Sequence, residues 1–270
     1  MKDQIKPLTL QEAAFIDAVS SAIGADRITA DASARECGGH DVFFQDVAPS
    51  CIATPRTKEE VGVVVREAAG HGFAVTTRGG GMSYTGGYLT GKARTVTIDM
   101  SMLDQVIAID EENLLVTVQC GCTWKDLYQA LLAKGLRVPA FGTMSGDSAT
   151  VGGGLSQGSI FFGSTRYGTS ADMVTGLEVV LADGEIVRTG QAATGNAQPF
   201  FRYYGPDLSG IFLGDCGALG IKVEATLRLI PVPSHVAGAS FAFEDFESAW
   251  KAQLAIAKAG LAAEIFSFDA

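Results

Sequence analysis

The densest run of chemically suggestive residues is Thr77-Arg-Gly-Gly-Gly-Met-Ser-Tyr-Thr-Gly-Gly87, in which five of eleven residues are glycine and Ser83 and Thr85 add hydroxyls. Glycine lets successive backbone N–H groups converge and lets a bulky anion approach the chain closely. A diphosphate suits such a loop. A plain surface turn is the competing reading. Against it stands a second cluster of the same kind, Ser145-Gly-Asp-Ser-Ala-Thr-Val-Gly-Gly-Gly-Leu-Ser156. Two such loops are expected to form two walls of one cleft.

Neither standard phosphate loop fits. A Walker loop needs Gly-Lys-Ser/Thr after its spacer, and Lys92 lies outside the glycine run. A G-x-G-x-x-G fingerprint opens a helix. Here Gly79-Gly-Gly81-Met-Ser-Tyr lacks the last glycine, and the following Gly86-Gly87 would break a helix at once.

The elements that must position these loops are legible from periodicity and caps. Leu10, Ala13, Ala14, Ile16, Ala18 and Ile23 predict a helix over 8–23 begun by Thr9. Cys51-Ile-Ala-Thr reads as a strand, and Thr57 with Glu60 has capping-box spacing ahead of Val61 and Val64. Gly70 and Gly72 should end that helix, and Phe73-Ala-Val-Thr-Thr is a strand delivering the first loop. Thr95–Asp99, Gln105–Asp110 and Leu114–Cys120 read as three neighbouring strands. Thr123 and Asp126 cap a helix over 124–134. The stretch 142–168 reads as glycine-rich loop. Asp172–Leu181, the Ala182-Asp-Gly-Glu turn and the alternating run Gly220–Ile230 add further strands, with an exposed loop at Gln191–Gln198. Ser240-Phe-Ala-Phe and 245–265 read as a strand and helix opening a new unit that is unfinished at Ala270.

With 47% hydrophobic residues, the 270-residue chain has enough apolar material for a real core. Its formal charge of -10 repels nucleic acid and anionic lipid surfaces, so neither is an expected partner. Met1–Leu10 holds no apolar run suited to a signal peptide or a membrane span, which points to the cytoplasm. Cys37, Cys51, Cys120, Cys122 and Cys216 do not form a disulfide framework. Alternation places Cys120 and Cys122 on one strand face, but a metal would need more ligands than the scattered His40, His71 and His235 offer, so both cysteines are read as packing residues and no metal is expected.

Arg78-Gly-Gly-Gly-x-Ser-x-x-Gly, Ala149-Thr-Val-Gly-Gly, Arg166-Tyr-Gly-Thr and Gly217-Ala-Leu-Gly-Ile occur in that order. Together they resemble the PCMH-type FAD-binding domain of the vanillyl-alcohol oxidase superfamily, nearest to D-lactate dehydrogenase and glycolate oxidase type FAD-linked oxidases. The resemblance covers residues 40–232. It implies an α+β fold of two lobes, a small α/β lobe and a larger β-sheet lobe with helices, with FAD between them and the start of a truncated or absent cap domain. The corresponding divisions are a helical segment at 1–39, a first lobe at 40–115, a second at 116–233 and the start of the substrate or cap domain at 234–270.

Carried over to this chain, the resemblance implies that Arg78, Gly79, Gly80, Gly81, Met82 and Ser83 wrap the diphosphate, and that Gly86 and Gly87 leave room for ribityl and flavin. Ser145, Thr150, Gly152, Gly153 and Ser156 line the opposite wall, and Gly220 and Ile221 bound the adenine end. On this reading Gly80→Val abolishes FAD binding while sparing much of the fold. Met82 stands where covalently flavinylated relatives have histidine, so FAD should be non-covalent. Asp215-Cys216 replaces a usual Ser-Glu, and Cys216 is read as a small buried residue.

The implied reaction is hydride transfer from a small-molecule substrate, a 2-hydroxy acid such as D-lactate or glycolate, to flavin N5. Alternatives are an aromatic-alcohol oxidase, a flavin-carrying electron-transfer subunit, or a fold that has lost its cofactor. No catalytic base is identifiable. An electron acceptor, or a partner subunit supplying the cap, is the further partner implied.

Overall fold

The computed structural model describes residues 7–195 and 197–268. Met1–Lys6 of the N-terminal segment, Asn196 of the polar loop, and Asp269 and Ala270 lie outside the described residues.

Two sheets organise the chain. The first combines β1 (Ile28–Thr29), β2 (Cys51–Ala53), β3 (Ala74–Arg78) and β4 (Thr95–Asp99) in the order β1-β2-β4-β3, with β2, β4 and β3 parallel. Parallel strands need a crossover, supplied between β2 and β3 by α3 (Lys58–Gly70). Thr57 caps α3 by accepting the Glu60 N–H, while the Glu60 carboxylate turns to the Arg56 N–H instead of closing a capping box. Helix α1 (Leu10–Ile23), whose Thr9 and Glu12 do form that box, packs Phe15 and Val19 with Val61 and Val64 of α3 against Val96 and Ile98 of β4. A short α2 (Ala32–Gly38) precedes β2.

The second sheet is antiparallel, in the order β5 (Val106–Asp110), β6 (Leu115–Gln119), β10 (Ile221–Arg228), β8 (Val174–Val180) and β9 (Ile186–Arg188). On it lies α4 (Trp124–Leu132), capped by Thr123, whose fully buried Trp124, Leu127 and Leu131 pack with Val116, Val118 and Leu227. A small ribbon pairs β7 (Leu136–Arg137) with β11 (Ile230–Pro231). The short helices α5 (Val151–Gln157), α6 (Ser164–Tyr167) and α7 (Leu208–Ile211) fill the long connections, and α8 (Phe246–Ala259) follows the last strand.

The lobes are locked together. Val180, Ile221 and Val223 of the second sheet reach into the core of the first lobe. Lys58 on α3 donates to Glu178 on β8 (2.6 Å) and Glu224 on β10 (2.8 Å), and Arg66 donates to the Gly184 carbonyl.

Several sequence expectations are corrected. The strands at 95–120 are not three neighbours, because β4 lies in the parallel sheet and only β5 and β6 pair, which puts the change of sheet between Asp99 and Val106. Cys120 and Cys122 follow the end of β6 in a turn where the Cys122 N–H bonds the Gln119 carbonyl, and both are buried. Residues 151–157 of the glycine stretch are helical. Ser240–Phe243 is not a strand, since it finds no sheet edge to pair with.

Candidate functional site

A cavity of about 590 Å³ lies where the parallel strand β3, the turn after β6, α5 and the start of β10 converge. That volume is in the range of cofactor and ligand sites. Both glycine loops line it.

The first loop leaves β3 at Arg78 and is held from behind by residues 40–44. Arg78 does not line the cavity. Its guanidinium donates to the His40 carbonyl (2.9 Å) and lies 4.9 Å from the centre of the Tyr88 ring, while the Tyr88 hydroxyl donates to the Gly81 carbonyl (2.8 Å). Gly86 also lies outside the lining. Its N–H donates to Asp41 Oδ2 (2.7 Å), and Asp41 Oδ1 accepts from the Phe43 and Phe44 amides (2.7 and 2.6 Å). Burial pushes the Asp41 carboxyl up, but those three backbone donors and Arg78 outweigh it and hold its pKa below the ordinary aspartate value.

Of the residues implied by sequence, Gly79, Gly80, Gly81, Met82, Ser83, Gly87, Ser145, Thr150, Gly152, Gly153, Ser156, Gly220 and Ile221 all line this one cavity. Their glycines do different work. A Cβ on Gly79 would fall 2.3 Å from Thr150 Oγ1, and one on Gly80 would fall 1.7 Å from the Ser148 carbonyl oxygen, so these two seat the first loop directly on the second. A Gly80→Val change therefore disrupts the junction of the lobes, contrary to the expectation that the fold survives it. A Cβ on Gly152 would fall 2.7 Å from the Cys120 Cβ and one on Gly154 2.8 Å from the Trp124 Nε1, so these two glycines let α5 press onto Cys120 and the indole. This close packing explains a glycine-rich helix whose intrinsic propensity is poor. Gly153 would meet only Thr150 Oγ1, at 3.1 Å, leaving its backbone open toward the cavity.

Thr150 caps α5 by accepting the Gly153 N–H (3.2 Å), and Thr85 of the first loop donates across the cleft to Gln157 on α5 (3.1 Å). The third wall is the turn at 214–221. Its Cys216 adopts φ +52° and donates its N–H to the Ser156 carbonyl (2.9 Å). Cys216 is exposed on the cavity wall, not the small buried residue expected. Cys120, in contrast, is buried, which pushes its thiol up to about 12 and keeps it protonated.

Residues outside the glycine runs were missed by sequence reasoning, among them Val42, Tyr88, Gln157, Phe161 and Lys222. Lys222 falls in step with Glu224, Thr226 and Arg228 on the polar positions of the alternating run 221–228, so the sequence carried no signal that set it apart. Lys222 donates to Asp215 (2.7 Å), with the side chains 2% and 3% exposed. Among the described residues it is the one charged residue lining the cavity. The rest of the described lining is backbone, hydroxyls, the Gln157 amide, two cysteines and apolar groups, an environment suited to a ligand with anionic and aromatic parts. None of His40, His71 or His235 reaches it, and no described cluster of His, Cys, Asp or Glu is fit to hold a metal. No described helix is long and apolar enough to cross a membrane.

A family profile described as FAD binding domain matches residues 49–190. The chain is 35% identical over 185 residues to the glycolate oxidase subunit GlcD of Bacillus subtilis, covering 68% of this chain and 38% of that protein. It is 32% identical over 203 residues to the mitochondrial D-lactate dehydrogenase [cytochrome] 1 of Saccharomyces cerevisiae, covering 74% and 33%. A solved alkyldihydroxyacetonephosphate synthase matches in fold, with a TM-score of 0.73 at 23% identity over 87% of this chain and 47% of that one. The chain thus spans less than half the length of each.

Proposed function

Because the chain belongs to the FAD binding domain family, with FAD as its cofactor, we propose that FAD lies in the interlobe cavity, non-covalently, in a protein that oxidises a 2-hydroxy acid. The observation that carries this reading is the meeting of both glycine loops in one cavity of about 590 Å³ whose described lining includes one charged residue, a lysine.

The residues fit the cofactor. Backbone N–H groups of Gly79–Gly81, with the hydroxyls of Ser83, Ser145, Thr150 and Ser156, present donors to a diphosphate. Met82, Gly87, Gly152 and Gly153 border the flavin side, and Gly220 and Ile221 border the adenine. Oriented amides give a local positive potential that the net charge of -10 does not cancel. Arg78 and Gly86 act from behind, by fixing the loop. Bound FAD supplies a two-electron acceptor for the hydride of a carbon bearing a hydroxyl.

The choice of a 2-hydroxy acid rests on the two curated relatives, whose names specify glycolate and D-lactate. No histidine or carboxylate of the described chain lines the cavity, so the group that takes the hydroxyl proton is proposed to come from outside this lining. The same observation favours one second reading, a flavin-carrying subunit that relays electrons without a substrate site of its own.

The test is a fluorescence titration with FAD, followed by anaerobic addition of D-lactate, glycolate or D-2-hydroxyglutarate. Bleaching of the flavin band by one of them supports the oxidase. Bound FAD that ignores all three supports the relay, and failure to bind FAD removes both.

A further inference from the structure

We propose that Lys222 is a cofactor-contacting residue, its ammonium pinned by Asp215 at the cavity wall so that its remaining N–H donors meet the diphosphate of FAD. This inference rests on the assignment of the cavity to FAD.

A lysine and an aspartate whose side chains are 2% and 3% exposed have given up nearly all their water. Such a pair does not stabilise a fold reliably, because desolvation of the two ions offsets their attraction. Asp215 is well satisfied, accepting from Lys222 (2.7 Å), the Gly217 N–H (2.9 Å) and the Leu219 N–H (3.2 Å). Lys222 is not: an ammonium has three donors and no acceptor, and Asp215 takes one. The residue also lines the cavity, with Gly217, Gly220 and Ile221. Asp215 therefore does two things at once. Its carboxylate shapes the 215–219 turn that forms this wall, and it holds beside the cavity a cation with two further N–H donors that no described residue accepts.

The chemistry of the ligand selects the contact. Adenine and flavin are neutral, whereas the diphosphate carries the negative charge, and a compact ammonium is suited to phosphate oxygens. Among the described residues no carboxylate lines the cavity, so beyond Asp215, which takes one donor, no lining charge competes for the ammonium.

The experiment compares ADP with adenosine as probes, by calorimetry, in the full chain and in two variants: Lys222→Met, and Asp215→Ser combined with Lys222→Val, which avoids an uncompensated buried carboxylate. Loss of one hydrogen bond to a charged group should weaken ADP and FAD roughly 10- to 100-fold while leaving adenosine unchanged. Equal weakening of adenosine and ADP, or unchanged ADP affinity in a folded variant, overturns the proposal. Should neither variant fold, the wild type decides: ADP, and not adenosine, must shift the Lys222 Nζ resonance in a protein labelled with nitrogen-15 lysine, and a resonance that ADP leaves unmoved overturns the contact. A wild-type chain that binds none of FAD, ADP and adenosine refutes the cavity assignment itself.

Discussion

Gly80 and Ser148 meet backbone to backbone across the two lobes, so closely that a Cβ on the glycine would lie 1.7 Å from the serine carbonyl oxygen. The cavity is thus roofed by a contact between two loops, and its shape depends on that contact. Lobe geometry and ligand space are consequently coupled, and substitutions in the glycine loops divide by which of the two they alter.

Gly80→Ala should destabilise the protein by about 1–3 kcal/mol through overpacking of backbone on backbone. Gly153→Ala adds its methyl toward the cavity, meeting only Thr150 Oγ1 at 3.1 Å. It should leave the melting temperature unchanged or slightly raised, since alanine favours a helix, while weakening FAD. Thermal melts and FAD titrations of the pair check this; a Gly80→Ala protein with wild-type stability would refute the loop contact.

Met82 is partly exposed on the cavity wall and offers no nucleophile for a flavin bond. Acid precipitation of the yellow protein should therefore release all of its flavin into the supernatant, identifiable as FAD by chromatography. Colour retained in the pellet would contradict non-covalent binding.

Asp41 holds the first glycine loop through the Gly86 amide, and its pKa is lowered by its backbone donors and Arg78 against the opposing effect of burial. A carboxylate with a depressed folded-state pKa contributes stability that is present above the unfolded value and lost as pH falls through the folded one. The loop should hold at neutral pH and loosen only below the ordinary aspartate value of 3.8. Asp41→Ala should loosen it at pH 7, read as faster amide exchange at Gly86 and weaker FAD binding. Protection of Gly86 equal to wild type would show that the carboxylate does not hold the loop.

Lys58 ties the lobes by donating to both Glu178 and Glu224. Burial disfavours its ammonium, but the two carboxylates outweigh this and raise its pKa above the usual lysine value. The bridge is thus complete below that value and lost only at strongly alkaline pH, as pH rises through the raised pKa. Lys58→Met leaves two carboxylates facing each other, partly screened by solvent, and should cost about 2 kcal/mol in denaturant melts. An unchanged midpoint would mean that the bridge adds nothing to the other contacts that hold the lobes.

Local chemistry was enough to read much of the fold from the amino-acid sequence. Thr9, Thr57 and Thr123 start the three principal helices of the lobes because an N-cap acts on amides two or three residues away, and apolar period marks the buried face within the same short window. The two glycine clusters likewise announced the walls of the cavity, since a run of small residues beside hydroxyls has few other uses. Tertiary structure alone decided what each glycine does. Gly80 answers to Ser148 and Gly154 to Trp124, partners that no local pattern names. It also decided that β5 joins the second sheet rather than β4, because strand pairing depends on where distant edges lie. Lys222 reads in sequence only as one of the polar positions of an alternating strand. The chain's return to Asp215 at the cavity wall turns that charge into a buried pair, and long-range packing is what brings both beside the glycine loops.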